Sequence, residues 1–206
     1  MVLTHPLGQR SGRLGHRCAH LVAITCVFLG AVLCQATAFA ESGWSALTDG
    51  TIVLYRHANA PGVGDPANFK LGDCSTQRNL DAAGRAQARH IGAQFRLHRI
   101  PVRRVLTSQW CRTRETAQLA FPGMPIEAEA FNSFFGSPER NAAQTSAALK
   151  ILGQWKGPGV LVVVTHQVNI TALTQVVPAA GEGVVVRPDA GALEVVARLP
   201  SDGGAR

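Results

Sequence analysis

The run Gly159–Thr165 (GVLVVVT) is continuously apolar and rich in β-branched residues. Such a run is typical of a strand buried on both faces of a sheet, because a half-exposed strand alternates apolar with polar side chains. A shorter run of the same kind, Thr51–Tyr55, precedes it in the chain. Strands of this type need helices on both faces of their sheet, so these two runs predict an α/β domain.

Helical patterns alternate with further apolar strands along the chain. The predicted helices cover Ala82–His98, Cys111–Leu119, Asn141–Trp155 and Gln167–Val176. The other predicted strands are Arg104–Ser108, a short one near Ile126, Gly183–Arg187 and Ala192–Leu199. This order predicts a three-layer α/β/α sandwich on a mostly parallel sheet.

The first 40 residues have the pattern of a secretory signal peptide. Three arginines precede the uncharged apolar run Leu21–Cys34, and Ala38–Ala40 (AFA) fits a small-x-small cleavage site. The run is shorter than the roughly 20 residues that a membrane-spanning helix needs, so we expect cleavage rather than stable membrane insertion. The predicted organisation is a signal peptide over 1–40 and one domain over 41–206, located in the periplasm or secreted.

The charge of the predicted domain is modest and dispersed. The full chain has a formal net charge of +7, but three of its basic residues fall in the predicted signal peptide. Nucleic-acid binding needs a basic patch, which this distribution does not provide, whereas a small anionic substrate suits it. The sequence has no Cys-x-x-Cys and no histidine cluster at zinc spacing, so we predict no metal site.

Cationic and imidazole side chains follow three of the predicted strands. Arg56 and His57 come directly after the first strand, Arg112 follows the second, and His166 follows Gly159–Thr165. Because ligands bind at the carboxyl ends of parallel strands, we expect these side chains to share one crevice. Guanidinium groups match phosphate oxygens, and imidazoles serve as nucleophiles or hydrogen-bond donors. The pattern predicts a pocket for a phosphoryl group.

Four segments resemble, in order, the motifs of the histidine phosphatase superfamily, which has the phosphoglycerate mutase-like fold. They are Leu54–Ala58 (LYRHA), Asn79–Ala88 (NLDAAGRAQA), Val105–Ala117 (VLTSQWCRTRETA) and Val162–His166 (VVVTH). The resemblance implies that His57 attacks phosphorus and becomes phosphohistidine, that Arg56 and Arg112 hold the phosphate, and that His166 donates to it. The implied activity is hydrolysis of a small phosphomonoester, here by an exported phosphatase that needs no cofactor.

The acid that protonates the leaving group has no counterpart in these motifs. Ser133 stands where one branch of the superfamily carries a glutamate, and Gln167 stands where the other branch carries an acid. We place Glu182 first as the acid, because it opens a predicted strand near the pocket. The other candidates are Asp73, Glu127 and Glu129. For each of them, an exposed carboxylate without a role in the reaction is the alternative interpretation.

Several polar residues near the motifs have two open interpretations. Gln77, Arg78 and Asn79 either bind the phosphate or leaving group, or satisfy the loop backbone and cap the following helix. Asn169, one turn beyond His166, either points at the site or caps its own helix. We predict Gln77, Asn79 and Asn169 as substrate-binding residues.

Two cysteines, Cys74 and Cys111, lie outside the predicted signal peptide. In an oxidising compartment they predict a disulfide that ties the long loop before the first helix to the phosphate-binding segment, with two free thiols as the alternative. Cys111 does not fit a Cys-x5-Arg phosphatase cradle, because Ala117 stands at the position of the arginine.

Two other functions stay open at this point. One is a catalytically silent protein that binds phosphorylated ligands, which the missing acid favours. The other is a phosphatase that acts on phosphohistidine in proteins, which a small domain with an open site favours.

Overall fold

The computed structural model describes residue 2 and residues 43–201. Except for Val2, the predicted signal peptide over 1–40 therefore lies outside the described residues. The chain divides into two units, Met1–Ala38 and Phe39–Arg206, and every element described below belongs to the second. In the described part of the chain, no helix has the length and apolar character needed to cross a membrane.

A six-stranded mixed sheet forms the centre of the described domain, with the strand order β3-β2-β4-β1-β5-β6. The strands are β1 Ile52–Arg56, β2 Val102–Thr107, β3 Pro125–Glu127, β4 Val160–Thr165, β5 Gly183–Asp189 and β6 Ala192–Leu199. Strands β1 to β4 run parallel to one another, β5 is antiparallel to β1, and β6 is antiparallel to β5. The predicted sandwich on a mostly parallel sheet is confirmed.

Four helices follow the pattern that the sequence predicts, each within two residues of its predicted bounds. They are α1 Ala82–Leu97, α2 Cys111–Ala120, α3 Asn141–Gly153 and α4 Gln167–Thr174. Short 3-10 turns lie at Cys74–Thr76, Glu129–Phe131 and Pro138–Arg140. The start of α1 agrees because its capping residue Asp81, whose side chain accepts from Gly84 N, is visible in the sequence.

Two apolar layers cover the two faces of the sheet. Val53 and Tyr55 of β1 pack with residues of α1 and α2, whereas Ile52 and Leu54 pack with residues of α3 and α4. This alternation follows from the two-residue period of a strand. β4 is buried along its whole length, as its apolar sequence predicts.

The topology brings the ends of β1, β2 and β4 to one edge of the sheet. Beyond β1, His57 N donates to Thr165 O at 2.9 Å, and beyond β2, Ser108 N donates to Val164 O at 3.1 Å. The residues that follow these three neighbouring strands therefore share one crevice.

The start of α1 supports the segment that follows β1. Only glycine fits at position 84, because a Cβ there would clash with the Asn59 carbonyl oxygen. Asn59 is also held through its side chain, which donates to Asp81 Oδ2 at 3.0 Å, and through its backbone N, which donates to Gln87 Oε1 at 2.9 Å. These contacts explain the Leu-Asp-x-x-Gly-x-x-Gln pattern: it fixes the backbone just after His57.

Candidate active site

A cavity of about 560 Å³ opens at the carboxyl ends of β1, β2 and β4. Arg56, His57, Arg112 and His166 all line it. Its outer walls are formed by residues of the loop that follows β1 and of the segment 133–140. The structure therefore brings together the four side chains that the sequence places at three separate strand ends.

His57 is buried, with 3% of its surface exposed, and its ring orientation is fixed. Its Nδ1 donates to the Ala58 carbonyl oxygen at 2.8 Å. Because a carbonyl oxygen only accepts, Nδ1 carries the proton and Nε2 keeps its lone pair. The pKa of His57 is lowered to about 3, mainly by burial; the charges of nearby arginines such as Arg112 contribute to this lowering, and the bond to Ala58 opposes it. The imidazole is neutral, and its Nε2 can act as a nucleophile.

His166 follows β4 and forms the second imidazole of the cavity. Its Nε2 lies 2.8 Å from Ser108 Oγ. Ser108 therefore engages Nε2 and not Nδ1. The ring centroids of His57 and His166 are 5.6 Å apart. Burial, followed by the charge of Arg112, lowers the pKa of His166 well below its usual range. As a neutral imidazole, His166 can donate one hydrogen bond to an anion.

Two arginines that line the cavity each have a buried Nε donor that no described residue engages. Among the described residues, neither Arg56 Nε nor Arg112 Nε has a hydrogen-bond partner. Burial, followed by the charge of Arg112, lowers the pKa of Arg56. Buried donors without acceptors are costly, and so are crowded cations. An anion with several oxygens, such as a phosphoryl group, would satisfy both at once.

Asp65 is a site residue that sequence reasoning missed. Its Oδ1 lies 2.6 Å from Arg112 Nη1 and its Oδ2 lies 3.2 Å from Arg112 Nη2. Trp110 Nε1 and Arg78 N also donate to this carboxylate, at 3.0 and 3.2 Å. Burial raises the pKa of Asp65, but the bonds from Arg112 and the other donors outweigh it, so the pKa is below its usual value. The flanking Gly64 and Pro66 indicate only a turn, so no sequence signal points to this role.

Arg78 lines the cavity, whereas its two neighbours do not. Gln77 is buried and structural: its Oε1 accepts from Cys111 N at 2.9 Å and its Nε2 donates to Lys70 O at 3.1 Å. Asn79 donates to the carbonyl oxygens of Cys74 and Gln77. Substrate binding by Gln77 and Asn79 stays a prediction that these contacts do not favour, because both side chains bind backbone groups.

Asn169 also supports the site from outside the cavity. It is buried, and its Nδ2 donates to Asn132 O at 2.9 Å. Asn132 in turn holds Gln109 through two hydrogen bonds, so Asn169 belongs to a polar network beneath the segment 131–134. The prediction of direct substrate binding by Asn169 is therefore not supported by its position.

Glu182 does not line the cavity, although its backbone is hydrogen-bonded to that of Arg56, which does. Its Oε1 accepts from Arg198 Nε at 2.5 Å, and its Oε2 accepts from Ala179 N at 2.8 Å. Its backbone carbonyl oxygen accepts from Arg56 N at 3.1 Å. The role of Glu182 as the acid stays a prediction that this placement does not favour, because its carboxylate closes a turn and pairs with Arg198 on β6.

Cys74 and Cys111 form a disulfide, with their Cα atoms 5.7 Å apart. This confirms the predicted pairing. The bridge joins the loop that carries Asp65 and Arg78 to the first residue of α2, next to Arg112.

The rim of the cavity is aromatic and cationic. The rings of Phe69 and Trp110 stack with centroids 5.1 Å apart, and Phe135 is 59% exposed. Arg140 is the fourth arginine among the lining residues. In the described residues, no group of three or more His, Cys, Asp or Glu side chains could hold a metal ion.

Comparison with known proteins gives one family and a set of similar folds. Residues 52–134 match the model of the histidine phosphatase superfamily (branch 1). The protein histidine phosphatase SixA in complex with tungstate is 16% identical, with a TM-score of 0.51 over 74% of this chain and 97% of that one. YhfR of Bacillus stearothermophilus is 15% identical, with a TM-score of 0.55 over 75% and 99%. Phosphoglycerate mutase of Thermus thermophilus is 19% identical, with a TM-score of 0.50 over 72% and 98%. A search of curated protein sequences finds no match.

Proposed function

We propose that the chain is a member of the histidine phosphatase superfamily, whose model matches residues 52–134, and that it hydrolyses a phosphomonoester through a phosphohistidine formed on His57. One observation carries the proposal: a buried, neutral His57 with a free Nε2 lies in the same cavity as two unpartnered guanidinium donors, Arg56 Nε and Arg112 Nε. A nucleophile beside donors for a tetrahedral anion is the arrangement that phosphoryl transfer needs.

The first half of the proposed reaction transfers the phosphoryl group to the protein. Its non-bridging oxygens accept from Arg56, Arg112 and His166, which neutralises charge that develops as the phosphoryl group moves. His57 Nε2 attacks phosphorus in line, a P–N bond forms, and the bond from phosphorus to the leaving oxygen breaks. The electron pair of that bond stays on the leaving oxygen.

The second half returns the protein to its starting state. Water attacks phosphorus, the P–N bond breaks, and its electron pair returns to His57 Nε2. The water releases a proton to solvent, and inorganic phosphate leaves. Since the same donors hold the phosphoryl group in both halves, the site needs no rearrangement between them.

An exported location is part of the proposal. The predicted signal peptide and the disulfide between Cys74 and Cys111 both favour an oxidising compartment, either periplasmic or extracellular. N-terminal sequencing of the protein recovered from cell fractions tests it. We expect a mature N-terminus near Glu41, and an intact Met1 in a cytosolic fraction would contradict export.

The activity is tested with p-nitrophenyl phosphate, an activated ester that hardly needs an acid. We expect phosphate release by the purified protein, its loss in His57→Ala, and an acid-labile phosphoryl group on His57 after rapid quenching. Turnover that survives His57→Ala would contradict the phosphohistidine intermediate. The control is Leu97→Ala, an exposed position at the end of α1 that does not line the cavity.

A catalytically silent binding protein is the second candidate function. It is favoured by the absence, in the described part of the chain, of a carboxylate that lines the cavity without being paired to an arginine. Binding of tungstate or inorganic phosphate by calorimetry, combined with no release of p-nitrophenol, would establish this function instead.

Phosphohistidine in a protein is an alternative substrate. The fold shared with SixA favours it. A histidine-phosphorylated carrier protein offered beside p-nitrophenyl phosphate would distinguish the two, because only the alternative predicts a large preference for the carrier.

A further inference from the structure

The two positions at which the superfamily carries its acid are both inside this cavity, and both lack a carboxyl group. Ser133 and Gln167 line the cavity, and neither side chain can donate a proton to a leaving oxygen as a carboxylic acid does. Within residues 43–201, Asp65 is the one carboxylate that lines the cavity. The source of a leaving-group proton therefore depends on whether Asp65 is available.

Asp65 is already occupied by four donors. Two are the Nη atoms of Arg112, and the others are Trp110 Nε1 and Arg78 N. These donors satisfy the ionised carboxylate, because a protonated oxygen would lose one of them. Asp65 is built to remain an anion and to hold Arg112, not to carry a proton.

The histidines do not replace the missing acid. His57 is the nucleophile and needs its Nε2 unprotonated. His166 binds Ser108 through Nε2 and is buried among arginines, an environment that disfavours its cationic form. A neutral imidazole donates a hydrogen bond but is a far weaker acid than an imidazolium. The site thus stabilises a phosphoryl group and offers the leaving oxygen no strong proton donor.

The rim of the cavity is suited to an aromatic leaving group. Phe69, Trp110 and Phe135 all line the cavity; Phe69 stacks on Trp110, and Phe135 exposes 59% of its surface. Gly64 leaves room beside Phe135, since a Cβ at this position would be 3.7 Å from Phe135 Cε1. Aromatic side chains beside a phosphate site can stack on or pack against a planar ring.

From these observations we propose that the substrates are aryl phosphates, phosphomonoesters whose leaving group is a phenol that packs against Phe69 and Phe135 at the rim of the cavity. This substrate class rests on the proposed function. A phenol has a pKa of about 10, far below the pKa of an aliphatic alcohol, so a phenolate leaves without protonation more easily than an alkoxide does. When His57 attacks, the P–O bond breaks and a phenolate departs with the electron pair. The phenolate then takes its proton from water outside the cavity.

A series of substituted phenyl phosphates and glycerol phosphate tests the leaving-group requirement. General acid catalysis contributes about 10²–10⁴-fold, so without it we expect kcat/KM for phenyl phosphate to exceed that for glycerol phosphate by at least about 100-fold. We also expect kcat/KM to rise steeply as the phenol becomes more acidic. Equal turnover of glycerol phosphate and phenyl phosphate, with a flat dependence on phenol acidity, would overturn the proposal.

Variants of the aromatic rim test the binding of the ring. In Phe135→Ala and Phe69→Ala we expect KM for phenyl phosphate to rise several-fold to tenfold, while the inhibition constant of inorganic phosphate is unchanged. Leu97→Ala is the control, because its side chain is exposed outside the cavity. Rim variants that leave KM unchanged, or that weaken phosphate inhibition equally, would overturn the assignment of the rim.

The outcomes also separate this proposal from the one on which it rests. No turnover of any ester, p-nitrophenyl phosphate included, would overturn the phosphatase activity and the substrate class together. Turnover of p-nitrophenyl phosphate together with rapid turnover of glycerol phosphate would keep the phosphatase and overturn the aryl class. Comparing kcat/KM for a tyrosine-phosphorylated peptide with kcat/KM for phenyl phosphate shows whether the preferred aryl group belongs to a protein or to a small molecule. Hydrolysis of either substrate supports the aryl class.

Discussion

The Asp65 carboxylate meets the Arg112 guanidinium end-on: Oδ1 lies 2.6 Å from Nη1 and Oδ2 lies 3.2 Å from Nη2. This contact engages the two Nη atoms and leaves Arg112 Nε buried without a partner in the described residues. In the proposed reaction, Arg112 Nε is the donor left for the phosphoryl group. We therefore propose that Asp65 is a positioning residue that fixes the orientation of Arg112.

Replacing Asp65 with Asn is the first prediction. Asn keeps the volume but loses one acceptor and the charge, so Arg112 is oriented less tightly and kcat/KM should fall about tenfold. A positioning role lowers kcat/KM by the same factor for phenyl and p-nitrophenyl phosphate. A loss many times larger on phenyl phosphate would instead identify Asp65 as the acid. Asp73→Asn is the matched control, since Asp73 is an exposed residue of the same loop that caps a 3-10 turn.

Stability should fall as the pH is lowered from 7 to 5. The pKa of His57 is lowered to about 3 by burial, whereas an exposed histidine has a pKa of about 6.5. Between these values the unfolded chain binds a proton that the folded protein does not, so acidification favours unfolding. At pH 5 the loss is on the order of 2 kcal/mol for His57. His166, whose pKa is also lowered, should add to it.

Urea unfolding of the wild type and of His57→Asn at pH 7 and pH 5 measures this contribution. Asn cannot titrate, so the free energy of unfolding of the variant should change less between the two pH values, by on the order of 2 kcal/mol. If both proteins lose the same stability, His57 is not buried as a neutral imidazole.

The disulfide between Cys74 and Cys111 should stabilise both the fold and the site. It closes a loop with a sequence separation of 37 residues. A bridge of that span contributes about 3–4 kcal/mol, largely by restricting the unfolded chain. Reduction should lower the free energy of unfolding by about this amount and raise KM, because the loop also carries Asp65 and Arg78. A Cys74→Ser/Cys111→Ser double variant should match the reduced protein and no longer respond to reductant.

The sequence predicted those parts of this protein that depend on repeated patterns. The continuous apolar runs predicted β1 and β4. Because ligands bind at the carboxyl ends of parallel strands, these runs also predicted that Arg56, His57 and His166 lie in one crevice. The cysteine count and compartment predicted the disulfide. In each case the relevant interaction is either local or set by the topology of the sheet.

The parts that the sequence did not predict depend on how loops fold back over the sheet. Asp65 reaches Arg112 across 47 positions, and only the path of the loop between them brings the two together. Gln77 and Asn79 lie shortly before α1, in the part of the loop that we predicted to face the substrate. Their side chains bind carbonyl and amide groups of the loop and of α2. Buried backbone groups must find partners, and in an irregular loop side chains often supply them.

The last prediction concerns Glu182, the acid that the sequence favoured. Glu182→Gln removes the charge that pairs with Arg198, while the amide oxygen can still accept from Ala179 N. Arg198 is half exposed, so we expect the loss of this pair to cost at most about 1 kcal/mol in the free energy of unfolding. Because its carboxylate does not line the cavity, the ratio of kcat/KM for p-nitrophenyl and phenyl phosphate should equal that of the wild type. A fall in activity confined to phenyl phosphate would return Glu182 to the role of acid and would contradict the placement of its side chain.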